Sequence, residues 1–335
     1  MAQIRFGVLG AARIVPSALI APARSVPEAT VSAVAARDAA RATAFAAANG
    51  IPRVLPSYQA LIDDPEIDAI YNPLPNNLHA EWTIRALEAG KHVLCEKPIA
   101  SNTREAEQMA DAARRTGKVL VEAFHWRYHP LALRMLDVIR SGRIGTVRHA
   151  DVFICFPLLS PGDIRYRLDL SGGATMDAGC YAISMLRHLV GEEPTVTAAK
   201  AKLSSPDVDR FMAADFTFGS GATGRMTCSM FSAMILRISA RVQGDLGEVT
   251  AYNPVIPSMW NRLVVRTPAG RTAERVTGDT SYTYQLRAFA PRVLTGADVP
   301  TGPDDAVANM RVIDSVYTRA GLPLRGVTAR ALTPA

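Results

Sequence analysis

Across its first 124 residues the chain alternates short β-branched runs with alanine-rich helical stretches, and few folds accommodate that rhythm. Strand-like runs occupy residues 4–9, 30–36, 69–71, 92–95 and 119–122, with helical runs at 57–62, 79–89 and 103–116 between them. A strand that returns parallel to its predecessor needs a long crossover, and a helix is the compact way to make one. The spacing therefore predicts a doubly wound parallel sheet of α/β class. Residues 92–95 are short and uncharged past His92, as suits an interior strand covered on both faces.

After about residue 125 the pattern changes. Helices are expected at 131–141 and 173–190, then strand-like runs at 147–156, 195–203, 211–218, 224–231, 235–243, 248–252 and 262–267. Turn residues such as Gly219-Ser220-Gly221 and Pro268-Ala269-Gly270 separate neighbours. This predicts an open antiparallel sheet with helices on one face, of α+β class, and a last helix at 303–320. The expected domains are 1–124 and 125–335.

A length of 335 residues allows two such domains, and 48% hydrophobic with 20% charged residues excludes wholesale disorder. The net charge is +6, but the basic residues are mostly arginines interleaved with acids, and no segment concentrates them. Nucleic-acid binding, which needs a focused basic stripe, is set aside. No uncharged apolar run approaches the roughly 18–20 residues of a membrane span. The first strand meets Arg13 before a signal-peptide core could form, so a cytoplasmic protein is expected. Cys95, Cys155, Cys180 and Cys228 form no CxxC pair and are expected as buried free thiols. His125 and His129 have the spacing of two helical metal ligands, but Pro130 disfavours helical geometry at His129, and no metal site is expected.

Four stretches carry chemistry. The first strand ends in Gly7-Val8-Leu9-Gly10-Ala11-Ala12-Arg13-Ile14-Val15, where Gly10, Ala12 and Val15 occupy the positions of G-x-G-x-x-G. Two of three glycines are missing, yet the stretch lies between a first strand and a helix, as a Rossmann dinucleotide turn does. The second strand ends in Arg37-Asp38: an acid there binds the ribose hydroxyls of NAD, whereas an arginine accommodates the 2′-phosphate of NADP. Arg37 comes first and favours NADP, with NAD as the alternative should Asp38 turn inward. Next, Glu96-Lys97-Pro98 follows an apolar strand, which delivers a lysine to the strand end where doubly wound folds bind ligands. Finally, Gly172-Gly173 precedes Asp177 and Tyr181, four apart and on one helical face.

The strings PNNLHAEWTIRALEAGKHVLCEKP, EAFHWRYHP and GGATMDAGCYAI, in that order, resemble the Gfo/Idh/MocA family of glucose–fructose oxidoreductase, inositol dehydrogenase and rhizopine-catabolism proteins. The resemblance covers essentially the whole chain, including residues 284–289 and 304–317. It implies hydride transfer between a nicotinamide dinucleotide and a sugar, cyclitol or diol, with Lys97 as the catalytic cation supported by Glu96 and Pro98. It places Gly10, Ala12, Arg13 and Ile14 at the phosphates and Arg37 at the adenosine ribose. Pro75, Asn76, His79 and Glu96 would border the nicotinamide, with Trp126 and Arg127 nearby. Tyr181, where inositol dehydrogenase-like members carry histidine, resembles the glucose–fructose oxidoreductase, D-xylose dehydrogenase and dihydrodiol dehydrogenase branch. His125 stands where methionine is usual, and Val15 replaces a small residue.

The resulting expectation is an NADP-preferring dehydrogenase or reductase of a small polyhydroxylated substrate. Tyr181 would exchange a proton with the substrate oxygen, Lys97 would stabilise developing negative charge, and Asp177 with Arg165 or Arg167 would hold neighbouring hydroxyls. Loops at 156–167 and 252–260 would build the substrate pocket. Two alternatives use the same scaffold: a nucleotide-binding sensor without turnover, and an epimerase or glycosidase-type enzyme that retains its cofactor. The open face of the second sheet predicts a homodimer or homotetramer that buries exposed apolar area, strands such as 235–243 included; family members commonly pair through this sheet.

Overall fold

The computed structural model describes residues 3–160 and 162–326; the last residues of the expected second domain, 327–335, lie outside that range. The described chain forms two compact units that interleave in sequence. Among the described residues, one comprises 3–100, 104–129 and 279–307, and the other 101–103, 130–160, 162–278 and 308–326.

The first unit is built on six strands: β1 (Ile4–Leu9), β2 (Ala29–Ala35), β3 (Arg53–Val54), β4 (Ala69–Asn72), β5 (His92–Cys95) and β6 (Leu120–Glu122). Their order is β3-β2-β1-β4-β5-β6, and every pairing is parallel. The chain order reverses between β1 and β4, so their carboxyl ends open the crevice where such sheets hold ligands. β4 is buried along its whole length, as are Val93, Leu94 and Cys95 of β5, because helices cover both faces. The helix Thr103–Thr116 and the strands β1 and β5 fall where the residue pattern puts them.

Helix Ser281–Thr295 also belongs to this first unit, far beyond the expected cut at 124/125. Thr280 caps it by accepting from the Thr283 amide. Its Leu286, Phe289 and Ala290 join Ile4, Phe6 and Val8 in one core, with the Phe6 and Phe289 rings 5.5 Å apart. The physical reason is burial: this apolar face finds its cover on the first sheet, and chain order places no bar on that.

The second unit carries eight strands: β7 (Val147–Cys155), β8 (Thr195–Ser205), β9 (Val208–Thr217), β10 (Thr223–Ser229), β11 (Arg237–Gly244), β12 (Glu248–Tyr252), β13 (Arg262–Thr267) and β14 (Gly270–Glu274). The order is β14-β13-β12-β11-β7-β10-β9-β8. All neighbours are antiparallel except β7 and β10, which pair in parallel with Cys228 opposite Ile154. The sheet is therefore mixed.

Helix Cys180–Val190 lies on β7 and β10. It is buried nearly all round, including Ala182, Ser184 and Met185, and so is a core helix with no single apolar stripe. The alternate sheet positions are more polar than a simple apolar docking face. Arg225 pairs with Asp215, Arg241 and Arg266 converge on Glu248, and the Arg237 guanidinium lies 3.4 Å over the Phe153 ring. Among the described residues no helix is long and apolar enough to cross a membrane.

Candidate active site

At the carboxyl end of β1, Gly10 adopts φ +87° while its amide donates to the Ala35 carbonyl at 2.6 Å. The positive φ favours glycine here, and a Cβ on Gly10 would also crowd the Leu74 side chain at 3.2 Å. Residues 11–14 lead into a π-helical turn, Pro16–Ile20, which continues as Ala21–Ala23. Val15 is fully buried among Phe6, Val8 and Leu19, so its bulk faces the core.

Arg37 follows β2, and the next residue is already committed. The Asp38 carboxylate accepts from the Arg41 amide at 2.9 Å and caps helix Ala39–Asn49. Arg41 was not singled out by sequence reasoning, yet its guanidinium donates to the Ala11 carbonyl at 2.7 Å and so lies over the glycine turn. Tyr58 stands close to both arginines: burial pushes its phenol up, and the charges of Arg37 and Arg41 oppose that shift. Two guanidiniums and a phenol around a glycine turn provide donors and positive charge suited to a nucleotide phosphate. The signal for Arg41 was its place three residues after Asp38, in the first turn of the helix that Asp38 caps.

The end of β5 is held on three sides. The Glu96 amide donates to Asn72 O at 3.0 Å, and the Tyr71 hydroxyl donates to Glu96 Oε1 at 2.6 Å. The Lys97–Pro98 bond is cis. Beyond it the Ile99 amide donates to the buried Glu122 carboxylate at 2.8 Å. His79 is buried with Nδ1 2.9 Å from Pro98 O and Nε2 2.7 Å from Leu74 O, pinning the Pro75-Asn76 loop to the Lys97 turn. Burial drives its pKa down to about 4, and Lys97 adds to that shift.

His125 is likewise buried; burial first and Lys97 second depress its pKa to about 3. Its Nδ1 lies 2.8 Å from the Ser281 hydroxyl, and its ring lies 4.1 Å from that of Tyr282. The backbone of His129 is extended at ψ 141°, as a residue before proline prefers. Trp126 and Arg127 are buried in this unit, where Arg127 donates to Asp305 at 2.7 Å. Among the described residues no cluster of three metal-ligating side chains occurs.

In the second unit the Gly172-Gly173 turn precedes a π-helical turn, Thr175–Gly179, that leads directly into helix Cys180–Val190. A Cβ at Gly172 would meet the Arg165 carbonyl at 2.5 Å and the Arg167 carbonyl at 2.7 Å. The sharp return carries Arg165 back to Asp177, with Nε 3.0 Å from Oδ2. Asp163, which sequence reasoning passed over, takes the other side of the same guanidinium at 3.1 Å. Arg167 goes elsewhere and pairs with the exposed Asp169. Tyr181, 7% exposed, stands one residue into the α-helix. The chain passes from five-residue to four-residue hydrogen-bond spacing between Asp177 and Tyr181, an irregularity frequent at functional sites.

Comparisons with known proteins converge. Residues 4–124 match the model of an oxidoreductase family with an NAD-binding Rossmann fold, GFO_IDH_MocA, and residues 132–250 match the GFO/IDH/MocA C-terminal domain. The chain is 36% identical over 318 residues to D-xylose 1-dehydrogenase (NADP(+)) 2 of Haloferax volcanii, covering 94% of this chain and 97% of that protein. It is 32% identical to a dTDP-3,4-didehydro-2,6-dideoxy-alpha-D-glucose 3-reductase of Actinomadura kijaniata, covering 95% and 96%. A crystal structure of a 3-ketoreductase from Actinomadura kijaniata with NADP and TDP-benzene superposes with a TM-score of 0.87 at 29% identity, covering 94% of this chain and 97% of that one. With one family model on each half and relatives matched nearly end to end, the chain belongs to the Gfo/Idh/MocA family of oxidoreductases.

Proposed function

We propose that the protein is an NADP-dependent dehydrogenase or reductase of a sugar, polyol or diol carbinol. The observation that carries this reading is Lys97, set immediately past interior strand β5 beside Glu96, with two flanking histidines that burial keeps uncharged. The positive charge at that edge thus rests on an ammonium and not on imidazolium. NADP is favoured over NAD because the Arg41 guanidinium lies at the glycine turn and the charge of Arg37 reaches neighbouring Tyr58, while the Asp38 carboxylate is occupied as a helix cap. Gly10, Ala12, Arg13 and Ile14 would receive the phosphates. Pro75, Asn76, His79, Glu96, Trp126 and Arg127 would form and support the nicotinamide side. The relatives named for NADP and for sugars point the same way.

The bound nicotinamide supplies the hydride acceptor for oxidation and the donor for reduction. Tyr181, as the phenolate, would take the substrate hydroxyl proton in the oxidation direction as the hydride leaves for the nicotinamide, and as the phenol would return it in reduction. Lys97 stabilises the negative charge that develops on that oxygen, an interaction that strengthens only as the reaction proceeds. Asp177, oriented by Arg165, accepts a hydrogen bond from a neighbouring hydroxyl and so fixes which carbinol reacts. Arg167, turned to Asp169, contributes at the rim. A homodimer or homotetramer through the second sheet is proposed with it; the paired charges on that sheet would then set register as well as burial.

The test is to mix the purified protein with NADP and with NAD, offering D-xylose, other aldoses, polyols and vicinal diols. Growth of the reduced-nicotinamide absorbance with NADP supports the reading. Tight NADP binding without absorbance growth on any substrate would replace it with a sensor. Product formed without added cofactor would replace it with the cofactor-retaining alternative.

A further inference from the structure

Arg325 lies almost at the end of the described chain, 144 positions after Tyr181 in the numbering, yet its side chain is fully buried. Its Nη2 is 3.0 Å from Asp209 Oδ1, its Nε donates to the Gly172 carbonyl at 2.8 Å, and its Cζ lies 4.1 Å from the centre of the Tyr317 ring. Asp209 is also fully buried and completes the arrangement. Its Oδ1 accepts from the Tyr317 hydroxyl at 3.0 Å, and its Oδ2 accepts from the Thr175 amide at 2.7 Å and the Thr175 hydroxyl at 2.6 Å.

Gly173, at φ +136°, packs so tightly here that a Cβ would fall 2.2 Å from Asp209 Oδ1 and 2.8 Å from the Tyr317 hydroxyl. The backbone of Arg325 reaches a second segment: its carbonyl accepts from Asn102 Nδ2 at 2.8 Å. The adjacent Ser101 hydroxyl accepts from the Ser171 hydroxyl at 2.9 Å.

We propose that Arg325, held by Asp209, is a positioning residue for the redox chemistry. It ties the segment that follows Lys97 by four and five residues to the Gly172-Gly173 turn that precedes Asp177 and Tyr181. The proposal rests on the function proposed above. Its basis is that the start of the π turn is anchored not by a local cap but by the carboxylate of Asp209 on β9, and Asp209 is in turn held by a guanidinium from the chain's far end. A buried carboxylate deprived of its cation cannot keep the same geometry, because its charge must then find another partner or a proton. Removing the guanidinium therefore loosens the turn at Thr175 and, through it, the placement of Asp177 and Tyr181.

The experiment uses the full chain and three variants, Arg325→Met, Arg325→Lys and Tyr317→Phe, each read by amide hydrogen exchange over residues 171–181 and by steady-state kinetics across pH. Arg325→Met is expected to speed exchange over 171–181 by about tenfold or more, by raising local opening. It should lower kcat by about tenfold and displace the pH profile, while the dissociation constant for NADP stays within about twofold of the parent. Arg325→Lys restores charge beside Asp209 without the second donor to Gly172, and should recover part of both losses. Tyr317→Phe leaves the guanidinium in place and should change exchange and kcat by less than about threefold.

Unchanged exchange at 171–181 in a folded Arg325→Met protein overturns the proposal. Should that variant fail to fold, Arg325→Lys decides: wild-type exchange and kinetics overturn the proposal, and partial loss in both supports it. A wild-type protein without turnover on any substrate removes the redox reading instead, and with it the positioning role, whatever the exchange shows.

Discussion

The Arg41 guanidinium donates to the Ala11 carbonyl at 2.7 Å, so the helix after β2 reaches back over the turn after β1. One residue earlier than that helix, Asp38 is spent as its cap. Together they resolve an Arg-Asp pair that is ambiguous in sequence: its acid is engaged as a helix cap, and a second guanidinium lies at the turn.

From this arrangement, Arg37→Ala and Arg41→Ala should each weaken NADP binding by about ten- to a hundredfold, the size of a lost charge-assisted contact to phosphate. NAD binding should change little. Fluorescence titration with the two cofactors checks this, and equal weakening for both would argue that the arginines serve the pyrophosphate or the fold.

For the chemistry, Tyr181→Phe should lower kcat by roughly 10² to 10⁴, the usual worth of a positioned acid or base. Lys97→Met should cost about 10² to 10³, comparable to one preorganised charge or donor at an oxyanion. NADP should still bind both variants. Full hydride transfer by Lys97→Met, measured with cofactor saturating, would remove the lysine from the mechanism.

His79 and His125 have folded pKa values depressed to about 4 and about 3, mainly by burial, against an ordinary value of 6.5. In the unfolded chain both take up protons first, so each contributes stability that is whole above pH 6.5 and shrinks as pH falls through the window down to the folded value. Each costs up to about 1.4 kcal/mol per pH unit within that window. Denaturant midpoints between pH 7.5 and 4.5 should therefore fall on acidification. His125→Met, which removes one titrating group, should flatten the slope; an unaltered slope would mean that His125 is charged or exposed in the native protein.

Phe289 contributes its ring to the core of the first sheet, 5.5 Å from Phe6. Phe289→Ala should destabilise the first unit by about 3–5 kcal/mol, the cost of a large buried cavity. Truncation at residue 124 should leave that unit unable to fold, because Leu286, Phe289 and Ala290 would be missing from its core. A cooperative unfolding transition from the 1–124 fragment would show that the late helix is dispensable.

Much of the candidate site was legible because its elements are local. β1, β5 and helix Thr103–Thr116 follow from residues adjacent in the chain, and so does the arrival of Lys97 at a strand end. Strand β3, strand β14 and helix Ala39–Asn49 escaped notice: the first is two residues long, the second is exposed throughout, and the third is mostly alanine with only Ala42 and Ala46 buried. None of these carries the apolar periodicity that makes an element readable. The parallel pairing of β7 with β10 was equally hidden, since strand patterning does not encode which neighbour a strand takes or in which direction.

By itself the amino-acid order determined the alternation of strands and helices, the glycine that closes the first turn, and the residue types that could carry redox chemistry. These depend on backbone conformation and on period, which act over a few residues. Tertiary structure alone decided that Arg41 would cover the glycine turn, that Arg165 would choose Asp177 over Arg167's partner, and that Arg325 would meet Asp209. Each joins a guanidinium to an oxygen that packing brings to it, and the energy of such a contact depends on distance and burial, which no local stretch of sequence contains.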